Sequence, residues 1–288
     1  VIGILTTEQR DGYRRSAREG VLRFREPTML LQLVLRGIQS SAAVRKEAEE
    51  FGDTIFLQAP ANLTSARGPL TSTLLWLQCA SAAWPHTAMI GKAEDDTWFH
   101  VPDIAASLRA AQSTLARLGI RSMYFGMHES YYWNETVQRP FGFGHHAPFA
   151  MWQQPCLLNV SGNVSTSRGT QSLSARHAQH GPFDFAKGPL YLLTRGLAAR
   201  LTSDGPTRQR AAEALGTAET RASGGSAGVG TWAEGMVWED VWIGYALSRL
   251  GQCSAAQGRG SDSVAAAAVG AAGAAAAALA GAAAAAAA

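Results

Sequence analysis

The chain has 288 residues, 47% of them apolar and 16% charged. That length buries one large α/β core or two small ones, and the composition excludes a chain disordered over most of its length. A net charge of +3, with 25 Lys and Arg scattered rather than striped, argues against a nucleic-acid partner. The sequence opens on Val1 rather than Met, with no apolar leader, so it reads as an excerpt of a longer chain in which a missing anchor carries no weight.

In chain order, Val1-Ile2-Gly3-Ile4-Leu5 reads as a buried strand ended by two threonines. A basic segment follows, Arg14-Arg15-Ser16-Ala17-Arg18, either an exposed helical turn or guanidiniums placed for bidentate contacts to a diphosphate. Met29 to Leu35 is a second strand, residues 38–50 a helix, and Thr54 to Leu57 a third strand. Leu70, Leu74, Leu77 and Trp84 lie near helical spacing, which predicts a helix over 69–83 stopped by Pro85. Ala88-Met89-Ile90 is the next strand. Pro102-Asp103 opens a helix with Ile104, Leu108, Leu115 and Leu118 on one face and Gly119 at its C-terminal cap. Ser122 to Gly126 is another strand. Residues 128–180 are loop-rich and aromatic, either core or a platform for a sugar ring. Gly188 to Leu197 reads as a strand passing into a helix, 203–230 as a surface insertion, and Val237 to Gly251 as a deeply buried helix. From Ser263 the chain is almost only Ala and Gly, too small to pack and too weakly apolar to span a membrane. Strands alternating with helices predict one α/β domain over 1–251, a mostly parallel sheet flanked by helices, and a low-complexity tail over 252–288.

The chemistry concentrates at Glu94-Asp95-Asp96, which follow a strand. Adjacent carboxylates repel one another, and each loses water on burial; a hard cation such as Mg²⁺ or Mn²⁺ offsets both costs. A solvated acidic turn is the plainer reading, but ligands of open α/β sheets sit beyond the carboxyl ends of strands, where this cluster lies. A second acidic pair, Glu239-Asp240, is either a set of helix N-terminal acids or a general base in an apolar setting. Gly224-Gly225-Ser226-Ala227-Gly228 matches a hydrolase elbow but has no strand before it. His177 and His180 have no evident third ligand, and His145-His146 point apart in any regular element. Cys79, Cys156 and Cys253 form no CxxC motif. Sequons begin at Asn62, Asn134, Asn159 and Asn163, usable only in a secretory lumen.

Taken in order, Arg14-Arg15-Ser16-Ala17-Arg18, Glu50-Phe51-Gly52-Asp53, Asn62-Leu63-Thr64, Trp76, Cys79, Lys92 to Asp96, Gly188-Pro189-Leu190-Tyr191 and Glu239-Asp240-Val241 resemble the beta-1,3-galactosyltransferase-type glycosyltransferases over about residues 1–251. The resemblance implies a GT-A, Rossmann-like fold and an inverting hexosyltransferase. Such an enzyme moves galactose from UDP-galactose to a glycan or glycoprotein acceptor, in a beta-1,3 linkage, behind a signal-anchor in the Golgi lumen. It implies Mn²⁺ on Asp96 and Glu94 and the catalytic base at Asp240. It also implies donor contacts from Arg14, Arg18, Lys92, Glu94, Asp95, Gly188, Tyr191 and Glu239. The chain departs from the family in having Glu94 where Asp is usual and no His after His180. An N-acetylhexosaminyltransferase, or a catalytically inactive sugar-binding module on the same fold, are the alternatives.

Overall fold

Ile2–Leu5 forms β1 with all four residues buried, as a strand covered on both faces requires. The computed structural model describes residues 1–134 (except 25, 39, 61, 62, 64–67, 118 and 120), 139–141, 163–166, 169–172, 179–212 and 239–257. Helix α1 is Asp11–Glu19, β2 Leu31–Ile38, α2 Ala42–Phe51, β3 Thr54–Pro60, α3 Gly68–Ala83, β4 Met89–Glu94, α4 Val101–Arg117 and β5 Tyr124–Asn134. Beyond them come β6 Arg139–Phe141, β7 Asn163–Thr166, β8 Gly169–Ser172, β9 Gln179–Thr194, α5 Arg195–Ser203 and α6 Glu239–Gln257.

Six strands lie in the order β3-β2-β1-β4-β9-β5, with the short β6 outside β5; β7 and β8 pair separately. Strands β3, β2, β1 and β4 are parallel, and β9 runs antiparallel to both of its neighbours. Hence β9 alone among the six is reversed, and the sheet is mixed but mostly parallel, as predicted.

Alternation along the strands splits the core between the two faces. Ile2, Ile4, Leu33, Leu35, Met89, Ala93 and Leu192 pack with Ala17, Val44, Leu108 and Leu115, so α1, α2 and α4 cover one face. Leu5, Val34, Ile90, Tyr191 and Leu193 pack with Leu74, Trp76, Ala198, Val241 and Ile243, so α3, α5 and α6 cover the other. The deep burial predicted for the last helix is seen in Val241 to Ala246, all buried. Trp76 is wholly buried, and its indole N–H donates to the Gly91 carbonyl at 2.7 Å. Its ring lies so close to Gly3 that a Cβ there would stand 2.4 Å from Cε2.

Local chemistry sets the ends of the elements. Ser41 caps α2 by accepting from the Val44 N–H, and Gly52 closes it in the left-handed region at φ 64°. The helix predicted from residue 38 therefore starts at Ala42, because β2 runs on to Ile38. Two strands are longer than periodicity suggests. β4 continues through Lys92, Ala93 and Glu94 because β1 and β9 pair with both of its edges. β9 starts at Gln179 because β5 extends alongside it to Asn134. The stretch read as a surface insertion opens on a helix over 205–212 in which Thr207 and Arg210 are buried. α6 likewise runs past residue 251 into the stretch read as tail. The remaining insertion, the hydrolase-like glycines, most of the aromatic 128–180 region, Cys156 and the alanine-rich end lie outside the described residues. Cys79 is a free thiol.

One polar brace ties α1 to α2 and the start of β3. Arg14, 1% exposed, donates from Nε and Nη2 to Glu47 at 2.9 and 2.7 Å, and from Nη1 to the Thr7 and Glu8 carbonyls. Arg18 reaches Glu47 and takes Asp53 in a two-pronged grip, its guanidinium over the Phe51 ring. Hydrogen bonds from Arg14, then Arg18, hold the Glu47 carboxyl down at about 2. A depressed folded-state value means this stabilisation is complete above the ordinary carboxylate range near 4.5 and is lost as pH falls from there to about 2. Glu47→Gln is expected to lower unfolding free energy by about 2 kcal/mol at pH 7, below the ~3–5 of a fully buried pair because Glu47 is partly exposed. Urea denaturation at pH 7 and pH 3 checks this, the gap between the two proteins narrowing at the lower pH.

Candidate active site

Parallel register brings the first part of the site together. Leu5 of β1 pairs with Glu94 of β4, so the next residues, Thr6 and Asp95, emerge side by side at the carboxyl edge. The Thr6 hydroxyl donates to Asp95 Oδ2. Arg10, in the loop leading to α1, places Nη1 2.6 Å from Asp95 Oδ1 and donates from Nη2 to Asp96 Oδ2 at 3.1 Å. The first contact is an ion pair outside hydrogen-bond geometry, so Asp95 Oδ1 is buried without a hydrogen bond. Burial pushes the Asp95 carboxyl up, opposed by Thr6 and Arg10. The side chain of Asp96 is about half exposed.

The second part is built under the first turn of α6. Lys92, whose side chain has no exposed surface, ion-pairs with Glu94, sits 3.1 Å from Glu239 Oε2 and donates to the Gly188 carbonyl at 2.9 Å. Tyr191, the register partner of Lys92 on β9, is wholly buried and donates its hydroxyl to Glu239 Oε1. The Gly188 N–H donates to Asp240 Oδ2 at 2.9 Å, and the Val241 N–H to Oδ1 at 2.8 Å. Burial alone would lower the Lys92 ammonium, but Glu239 and Glu94 outweigh it and raise it. Burial, then the charge of Glu239, raises the Asp240 carboxyl. Burial also raises Glu94 against the pull of Lys92.

Six of the residues singled out in the sequence, Lys92, Glu94, Gly188, Tyr191, Glu239 and Asp240, thus form one connected network, and Asp95 and Asp96 continue from Glu94. Arg14 and Arg18 stand apart from it, engaged in the Glu47–Asp53 brace. Lys92 and Tyr191 are fully enclosed, so on this geometry they hold Glu94 and Glu239 and do not open onto solvent. Thr6 and Arg10 were missed. The only sequence signal for Thr6 is its position directly after β1, which matters once β1 and β4 are known to be neighbours. Next to the cluster Trp98, 65% exposed, stacks on His100.

Among the described residues no three His, Cys, Asp or Glu side chains converge as a set that holds a metal ion. The available donor is Asp96, with Asp95 turned inward. A hard cation fits such a site through one exposed carboxylate, with waters and phosphate oxygens completing its shell, which is how Mg²⁺ and Mn²⁺ are usually held. A concavity lined by Thr87, Ala88, Leu115, Arg121, Thr194 and Arg195 opens at the opposite, amino end of β4, away from these groups. Among the described residues no helix is long and apolar enough to cross a membrane. No family model and no curated protein matches the chain.

Replacing Lys92 by Met removes the cation that compensates the buried Glu239 and the partly exposed Glu94. The expected loss is ~3–5 kcal/mol of unfolding free energy, the cost of leaving buried charges unpaired. Tyr191→Phe removes one hydrogen bond to a charged group, expected to cost about 1.5–3 kcal/mol. Denaturant titration of both variants tests this ranking.

Proposed function

We propose that the chain is an inverting UDP-sugar transferase of the GT-A type, resembling the beta-1,3-galactosyltransferases, with UDP-galactose the leading donor and a glycan hydroxyl the acceptor. The observation that carries the reading is the meeting, across Lys92, of the acidic end of β4 with the Glu239-Asp240 pair that opens α6. One carboxylate group there is exposed and suited to a cation and diphosphate. The other is a half-buried carboxylate fixed by two backbone N–H groups.

In this reading Asp240 accepts the proton of the acceptor hydroxyl while that oxygen forms its bond to the anomeric carbon. The bond from that carbon to the UDP oxygen breaks on the opposite face, so one displacement inverts the configuration. The raised affinity of Asp240 for protons suits a general base, whose strength must match its working pH. Gly188 and Val241 aim its two oxygens, and Glu239, tied to Lys92 and Tyr191, supplies the nearby charge. Asp96 would hold a divalent cation, which when bound neutralises charge on the leaving diphosphate. Trp98 offers an exposed aromatic face on which a sugar ring stacks. A lumenal Golgi location behind a membrane anchor accompanies this reading.

UDP titration with and without Mn²⁺ tests the proposal first. Metal-dependent binding is expected, and Asp96→Ala is expected to abolish it; metal-independent binding, or none, would leave a degenerate sugar-binding module as the better reading. With UDP-galactose and a simple acceptor, Asp240→Asn is expected to lower kcat by about 10²–10⁴-fold while leaving UDP affinity near wild type. Because burial raises the Asp240 carboxyl, kcat should fall on the acid side at a pH above the ordinary aspartate range, and a pH–rate profile reads this directly.

A further inference from the structure

Arg10 has no role in the network around Lys92, yet it straddles both outer carboxylates of the acidic cluster. Nη1 lies 2.6 Å from Asp95 Oδ1 and Nη2 3.1 Å from Asp96 Oδ2. Its guanidinium carbon sits 4.1 Å from the centroid of the Tyr13 ring, which gives it a second, uncharged support. The two acids differ in their other contacts. Asp95 is enclosed and also held by Thr6, whereas Asp96 is about half exposed. Arg10 itself is 32% exposed, so its side chain has room to swing away from Asp96. A guanidinium and a divalent cation at contact distance repel each other, so the two compete for the Asp96 carboxylate.

We infer that Arg10 is a tethered counter-cation for the acidic cluster: it offsets part of the charge of Asp95 and Asp96 in the cation-free protein and is displaced from Asp96 when a divalent cation binds. The inference rests on the reading of Asp96 as the cation-binding carboxylate. Arg10 is then a positioning residue that sets how tightly the cluster takes a cation. The pairing with Asp95 persists throughout, because that carboxylate has no access to water.

The test is a calorimetric titration with Mn²⁺ alone, in the absence of nucleotide, on wild type, Arg10→Gln, Arg10→Lys and Tyr13→Ala, paired with thermal melts with and without Mn²⁺. Arg10→Gln is expected to bind Mn²⁺ roughly tenfold more tightly, the scale of removing one partly exposed charge contact. It should also melt lower without Mn²⁺ and gain more from its addition than wild type does. Arg10→Lys, which keeps the charge, should stay near wild type. Tyr13→Ala leaves every charge in place and loosens Arg10, so it should tighten Mn²⁺ binding by a smaller factor; it carries the test if Arg10→Gln does not fold. Unchanged or weaker Mn²⁺ binding in folded Arg10→Gln and Tyr13→Ala overturns the inference, as does the absence of Mn²⁺ binding in all of the proteins. UDP titrations of the same proteins separate the two readings. Tighter Mn²⁺ binding without any UDP binding keeps the counter-cation and removes the transferase. Mn²⁺-dependent UDP binding with Mn²⁺ affinity indifferent to Arg10 does the reverse.

Discussion

A single enclosed ammonium holds this end of the molecule together. Lys92 has no access to water, and an isolated charge there would be prohibitively costly. It is tolerated because carboxylates from two different elements, Glu94 at the end of β4 and Glu239 at the start of α6, and the Gly188 carbonyl surround it. The constraint works in both directions. Glu239 would itself be an uncompensated buried anion without Lys92 and the Tyr191 hydroxyl. Strand β4, strand β9 and helix α6 are therefore held in one arrangement by a polar cluster inside an otherwise apolar interface.

That arrangement sorts the acids of the region by environment. Glu94, Asp95 and Asp240 are each raised by burial, but their partners differ: an ammonium for the first, a hydroxyl and a guanidinium for the second, and backbone N–H groups for the third. Asp96 remains the most open of the set. A stretch that reads as three equivalent carboxylates is, in three dimensions, one acid turned toward Lys92, one turned inward and one turned toward water. Chemically different tasks for neighbouring acids require differences of this kind.

The arginines before and within α1 show how closely spaced residues of one type part company. Arg14 and Arg18 point to α2 and the turn before β3, where Glu47 and Asp53 meet them, and so join the frame. Arg10, one helical turn earlier and outside α1, points the other way to the acidic cluster. The basic segment Arg14 to Arg18 stands out in the sequence, and Arg10 does not. That Arg14 and Arg18 serve the frame while Arg10 meets the acidic cluster depends on where the loop between β1 and α1 turns.

Much of the fold was legible because it rests on local regularities. The apolar run Ile2–Leu5, the helical spacing of Leu70, Leu74 and Leu77, Pro102 ahead of a helix and Gly119 at a helix end each act within a few residues. The acidic residues of the site were legible too, since carboxylates crowded between apolar neighbours call for some compensation. What only the tertiary structure decided was which compensation each received. The span from Lys92 to Glu239, the alignment of Thr6 with Asp95 and the reach of Arg10 are set by sheet order and register. Those arise from pairings between segments far apart in the chain, and no local pattern encodes them. The strand ends were misjudged for the same reason: Lys92 and Glu94 belong to β4 because β1 and β9 lie on either side, a fact absent from the residues themselves.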